Sequence, residues 1–164
     1  LLMDKDFVNY RAYKKKIEET IKKAKGVVDD KYVAIMEKGL AKIDEVVAYM
    51  KKLLEGGKYL QIFANATPLQ QCFAMLSYAF IQLWAMTIVM PKARELSGDK
   101  KGADLEKLLA DNAEAAYYVG RLLSAQFYVG AEFHKFFGKC EYILAGEGAV
   151  VKATSAIFTG APEQ

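Results

Sequence analysis

Histidine, cysteine and proline are scarce in this chain: one, two and three residues of 164. The single histidine, His134, would have to serve any serine-histidine-acid chemistry, and no Gly-x-Ser-x-Gly elbow exists to supply the serine. It sits in Glu132-Phe133-His134-Lys135, where a helix points the Glu and His apart. A carboxylate-bridged di-iron bundle needs two Glu-x-x-His repeats, and none is present. The cysteines have neither the number nor the spacing for structural zinc. Cys72 and Cys140 both lie in apolar stretches and read as buried free thiols, which agrees with a reducing, cytoplasmic location. Gly146-Glu147-Gly148 follows a helical pattern and not a strand, so it reads as a cap and turn instead of a dinucleotide loop. The first six residues lack a basic region followed by an apolar run, so no signal peptide is visible. Catalytic, cofactor-binding and metal-ligating residues are all assigned as none.

Charge is balanced. The net charge is +3 and the pI about 8.7, short of a nucleic-acid footprint. The basic excess lies early, in Lys14-Lys15-Lys16 and Lys22-Lys23-Lys25, with Glu18 and Glu19 interleaved. It reads as the solvated face of a helix in preference to a phosphate patch.

What is abundant is helix-forming sequence. Ala, Leu, Lys, Glu and Met dominate and β-branched residues are scattered. Over 29–55, Val33, Met36, Leu40, Ile43, Val47, Met50 and Leu54 recur at steps of three and four, a heptad seam that requires a helix about 39 Å long. Gly56-Gly57 ends it. Over 6–25, Phe7, Tyr10, Tyr13, Ile17, Ile21 and Ala24 follow helical spacing, and Gly26 closes the segment. Thr67-Pro68-Leu69-Gln70 predicts a helix start with Thr67 as N-cap. That helix runs to about residue 96, with Pro91 expected to kink it or end it early. A fourth helical region spans about 104–145, with a break expected near Asp111-Asn112. Residues 149–158 are apolar enough to dock as a short helix. The prediction is an all-α fold, an up-down four-helix bundle with a candidate short extra C-terminal helix, in one domain over 1–164.

Residues 59–91 contain no charge at all. Within them, 72–90 form a 19-residue apolar run, long enough to be a transmembrane candidate. Gln70, Gln71, Ser77, Gln82 and Thr87 interrupt it, and the other helices need an apolar partner. The run is therefore expected to be the buried central helix of the bundle, with no membrane and no nucleic acid as partner.

Three further features invite a functional reading. Glu114 and Glu132 are candidate acids and Arg121 a candidate anion ligand, although an ion pair or helix-face charge is the simpler reading. Tyr117, Tyr118, Phe127, Tyr128, Phe133, Phe136 and Phe137 could line a pocket, although such stripes are more often core. Ala116, Gly120 and Ser124 share one stripe that should let another helix approach, so Gly120→Leu is expected to lower the melting temperature strongly.

Ala64-Asn65-Ala66-Thr67-Pro68-Leu69, leading into Leu83-Trp84 and Lys92-Ala93, is followed by Tyr117-Tyr118-Val119-Gly120-Arg121-Leu122-Leu123-Ser124-Ala125-Gln126-Phe127-Tyr128. These stretches resemble the C-terminal accessory domain of long acyl-CoA dehydrogenases, and Leu1-Leu2-Met3-Asp4-Lys5 looks like the junction after the flavoenzyme core. The chain departs from the pattern at Gln126, where arginine is usual, and after Tyr128, where a proline is often found. The resemblance implies a parent that uses FAD to oxidise acyl-CoA to 2,3-enoyl-CoA. It implies that the flavin site, acyl-CoA pocket and catalytic carboxylate belong to the preceding core. No cofactor is expected in this fragment, and its expected partners are that core, an acyl-CoA through the parent, and a neighbouring subunit. The start at Leu1 without an initiator fits a piece of a longer polypeptide. The alternative is a free-standing helical module that binds an apolar ligand or a partner helix.

Overall fold

A computed structural model describes residues 7–160. The all-α prediction holds, with no strand among the described residues. α1 (Val8–Ala24) and α2 (Asp30–Glu55) are joined through Gly26, whose φ of 78° is the left-handed turn that glycine accepts without strain. A short helix, α3 (Tyr59–Ala64), precedes α4 (Ala66–Ser97). After Gly98 come α5 (Gly102–Asp111) and α6 (Ala113–Phe127), then a π turn (Tyr128–Glu132) and α7 (His134–Leu144). A 3-10 turn (Ala149–Lys152) and α8 (Ser155–Thr159) follow. The junction stretch 1–5 and the start of the first predicted helix at Asp6 lie outside the described residues.

Cross-helix contacts fix the directions. Tyr10 and Lys14 of α1 reach Asp44 of α2, while Lys25 just after α1 reaches Glu37, so the pair is antiparallel. Arg94 near the end of α4 bonds Val27 and Asp29 at the start of α2. Gln82 meets Arg121 and Gln71 meets Lys139, so α4 and the α6–α7 rod are antiparallel. The four long elements therefore alternate down the chain, and α4 packs on α1, α2, α6 and α7. This is the up-down bundle of the prediction.

The heptad seam of α2 is buried at Val33, Met36, Leu40, Ile43, Val47 and Met50. Leu54, predicted on the seam, is only half-buried, and Leu53 is buried in its place. Tyr32, Gly39, Val46 and Leu53 form a second buried row at seven-residue spacing. One seam would serve one neighbour, but α2 faces α1, α4 and α7. It needs the broader apolar stripe of a globular bundle.

Other expectations shift. Thr67 is not the N-cap: α4 begins at Ala66 after Asn65, whose side chain instead donates to the Gln61 carbonyl at 2.8 Å. The reason is the unforeseen α3, which brings a preceding helical turn up to Asn65. Pro68 still falls in the first turn, where a missing N–H costs nothing. Pro91 does not end α4, which continues to Ser97. The break at Asp111-Asn112 is real, and the Asn112 side chain caps α6 by accepting from the Ala115 N–H at 3.0 Å. Where the family pattern often has a proline, this chain has the π turn, with the Phe133 N–H bonding back five residues to Tyr128 at 2.8 Å. The extra C-terminal helix exists as α8, but Ile157 and Phe158 stay exposed, so it does not dock.

The largest correction concerns α4. An 18-residue window in it has mean hydropathy 1.7, long and apolar enough by length and composition to cross a membrane, yet only 44% of that window is buried. Cys72, Leu76, Ala79, Leu83, Met86 and Met90 face the core, while Tyr78, Ile81, Trp84 and Ile88 are exposed. The helix is not buried all round, because its neighbours cover one side and leave the other open.

Candidate functional site

The candidate residues of α6 and α7 do not converge. Glu114 lies exposed in the first turn of α6, where a carboxylate favours the helix dipole. Glu132 pairs with Lys135 at 2.5 Å, one helical turn on. His134 is exposed, its ring 5.9 Å from that of Phe137. Arg121 finds a neutral partner and not a carboxylate: its Nη1 donates to Gln82 Oε1 at 2.6 Å. Gln82 is only 3% exposed in the uncharged run. The guanidinium satisfies a buried acceptor there, which is a structural role.

The aromatic set divides. Phe133 and Phe136 are fully buried and stacked, centroids 4.8 Å apart, with Phe137 edge-on to both. Tyr128 is half-buried, its ring 4.4 Å from that of Tyr78 on α4. Tyr117 and Phe127 are exposed. The core reading fits the later members and fails for these two. The small-residue stripe is also corrected. A Cβ on Gly120 would meet nothing within 4 Å, and Gly120 and Ser124 are exposed. No helix among the described residues approaches there, so the expected loss of melting temperature in Gly120→Leu has no basis in the described bundle.

Two constellations escaped the sequence. Tyr10 donates to Asp44 Oδ1 at 2.5 Å while Lys14 bonds Oδ2 at 2.7 Å. Burial, reinforced by the adjacent carboxylate, pushes the Tyr10 phenol far above its usual range. The hydrogen bond to Asp44 raises Lys14. Cys72 and Cys140 are buried free thiols, as expected, but they also meet: Cys140 donates to Cys72 with sulfurs 3.7 Å apart. That bond lowers Cys72 and raises Cys140. The partners lie 34 and 68 residues apart, so local pattern carries no sign of either pair.

Open grooves occur where helices part. One of about 410 Å³ is lined by Tyr49, Lys52, Leu53, Gly56, Lys58, Gln61 and Gly146. Another, of about 560 Å³, lies over Pro68, Lys135, Gly138, Lys139 and Tyr142. No three His, Cys, Asp or Glu side chains cluster among the described residues.

Residues 13–154 match the family described as acetyl-CoA dehydrogenase C-terminal like. The chain belongs to that family. The match spans most of the 164 residues and includes α2, α4, α6 and α7 in full. No match was found among curated proteins or among solved structures. For the flavin associated with such dehydrogenases, this acetyl-CoA dehydrogenase C-terminal-like domain offers no evident holder among the described residues. Among the described residues no strand precedes a glycine-rich helix start, and the two grooves above are open and lined largely by surface lysines, tyrosines and glycines. No step through FAD is derived for this domain.

Proposed function

We propose that this bundle is a non-catalytic accessory and assembly domain of an FAD-dependent acyl-CoA dehydrogenase-like enzyme. The parent would oxidise an acyl-CoA thioester to the 2,3-enoyl form in a core preceding this domain. The bundle would pack on that core or on a neighbouring subunit. The observation that carries the reading is the family match over 13–154. The scattered positions of Glu114, Arg121, Glu132 and His134 agree with it, since Arg121 is engaged by Gln82, Glu132 by Lys135, and Glu114 and His134 are turned to solvent. Two measurements test it. The purified chain should show no flavin absorption and no binding of added FAD in a fluorescence titration. The coding sequence upstream of Leu1 should encode a flavin-binding core in the same reading frame. A yellow preparation of this chain, or an initiator codon immediately before Leu1, would refute the proposal.

A further inference from the structure

The chain has only two cysteines, and the packing of α4 on α7 brings them together. Cys72 and Cys140 are 68 residues apart in sequence, yet both are wholly buried and their sulfurs lie 3.7 Å apart, the Cys140 S–H directed at the Cys72 sulfur. Both are free thiols. The sulfurs are in van der Waals contact, about 1.7 Å further apart than in a disulfide, so closing the gap is a movement on the scale of a side chain. Their sequence neighbours already join the same two helices: Lys139 Nζ donates to Gln71 Oε1 at 2.7 Å.

An approach for a small oxidant lies beside the pair. The open groove of about 560 Å³ is lined by Pro68, one helical turn before Cys72, and by Gly138 and Lys139, which immediately precede Cys140. Gly138 puts no side chain into it, and a Cβ there would meet nothing within 4 Å. Hydrogen peroxide can therefore come within about one turn of sulfurs that a bulky thiol reagent does not reach. The hydrogen bond from Cys140 lowers the Cys72 thiol, and the Lys139 charge adds to that against the effect of burial. No third His, Cys, Asp or Glu clusters with the two among the described residues, so the ligand set of a structural zinc site is incomplete. The chemistry that two facing thiols support by themselves is oxidation to a disulfide.

We infer that Cys72 and Cys140 are a redox modification site, at which hydrogen peroxide forms a reversible disulfide that clamps α4 to α7. Cys72, as thiolate, attacks one peroxide oxygen. The O–O bond breaks, hydroxide leaves and takes up the Cys72 proton as water, and a sulfenic acid remains. The Cys140 sulfur then attacks the Cys72 sulfur. The S–S bond forms, the S–O bond breaks, and the hydroxyl leaves with the Cys140 proton as a second water. The two thiols lose two electrons and peroxide gains them; a thiol reductant reverses the bond. The clamp closes a loop of 68 residues that contains α5, α6 and the π turn. A loop of that length restricts the unfolded chain strongly, so the oxidised domain is the more stable form. The inference stands whether or not the parent enzyme proposed above is correct.

The test treats the purified, reduced chain with hydrogen peroxide under native conditions. The expected product is a single 18.3 kDa chain on a non-reducing gel with no thiol left to label after unfolding. Trypsin should yield the peptides 59–92 and 140–152 joined to each other, and dithiothreitol should part them. The Tm should rise by about 5 °C or more and return on reduction. Cys72→Ala and Cys140→Ala, treated in the same way, should show no rise. Thiols that survive the treatment, or that take up oxygen without cross-linking, overturn the inference. So does a disulfide between two chains, or a single-cysteine variant that gains the same Tm. An internal disulfide that leaves the Tm unchanged or lower also overturns it, because the native helices would then be holding the sulfurs apart.

Discussion

Gly39→Ala tests how tightly the core is specified. Gly39 lies inside α2 on the second buried row. A Cβ built there would fall 2.8 Å from both Cε1 and Cζ of Phe133, and 3.6 Å from a methyl of Leu76. The Phe133 ring cannot swing away cheaply. It is fully buried, stacked on Phe136 at 4.8 Å and edge-on to Phe137 at 5.7 Å. Two effects oppose each other. Replacing glycine by alanine in a helix interior gains about 1 kcal/mol of propensity. Overpacking a dense core costs typically about 1–3 kcal/mol, and a contact this short in a locked ring places the cost at the upper end. The net expectation is a loss of about 1–2 kcal/mol, or a Tm lowered by roughly 2–8 °C for a domain of this size. Gly138→Ala is the matched control: it too is in a helix interior, but exposed, with nothing within 4 Å of its Cβ. It should gain about 1 kcal/mol. Urea unfolding of the two variants beside the wild type measures both signs in one experiment. Adding Phe133→Leu should make Gly39→Ala less costly than it is alone, a positive coupling in the double-mutant cycle. If Gly39→Ala stabilises as much as Gly138→Ala, the close approach of α2 to the Phe133 ring is refuted.

Three other perturbations have expected outcomes. Arg121→Met should leave Gln82 Oε1 buried without its 2.6 Å donor and cost about 1–3 kcal/mol in urea unfolding, whereas Arg121→Met with Gln82→Leu should recover most of it. Stability should fall as pH rises above about 10: Tyr10 and Tyr13 have phenols raised by burial, so the unfolded chain releases protons that the folded chain holds. Tyr10→Phe should flatten that fall between about pH 10 and 11.5, with Lys14, Lys42 and the thiols common to both proteins, and an unchanged slope would refute the Tyr10 assignment. Both cysteines should resist a thiol reagent in the native protein and react together on unfolding, since each is wholly buried; fast labelling of either in the native state would contradict the packing of α4 on α7.

The bundle was legible because its signals are local. Val33 to Met50 recur at helical steps that only a helix can align, and Asn112 announces the α6 cap beside the predicted break. What stayed hidden depends on neighbours distant in sequence. The period of α2 identified a stripe, but its width, and so the choice of Leu53 over Leu54, is set by packing partners on several sides. Ala116, Gly120 and Ser124 do share a stripe, yet spacing says only that they lie together, not what lies opposite. The candidate site fared as its chemistry allows. Arg121 called for a partner and has one, but that partner is an amide 39 residues away that no charge pattern could reveal.

The uncharged run carries the most instructive error. Absence of charge does not identify one environment, the core; it records only that charge is excluded. In α4 two agents exclude it. On the inner side the bundle does so through Leu76, Leu83, Met86 and Met90. On the outer side no other described helix does, and Trp84 stands half exposed. A sequence can keep such a face apolar at no cost to the fold, because an exposed leucine or tryptophan on a helix barely alters monomer stability. The outer half of α4 therefore contributes little to the fold, since Ile81, Trp84 and Ile88 there stay about half exposed in the described bundle. That is why helical periodicity alone, which reports on folding, could not separate the two halves.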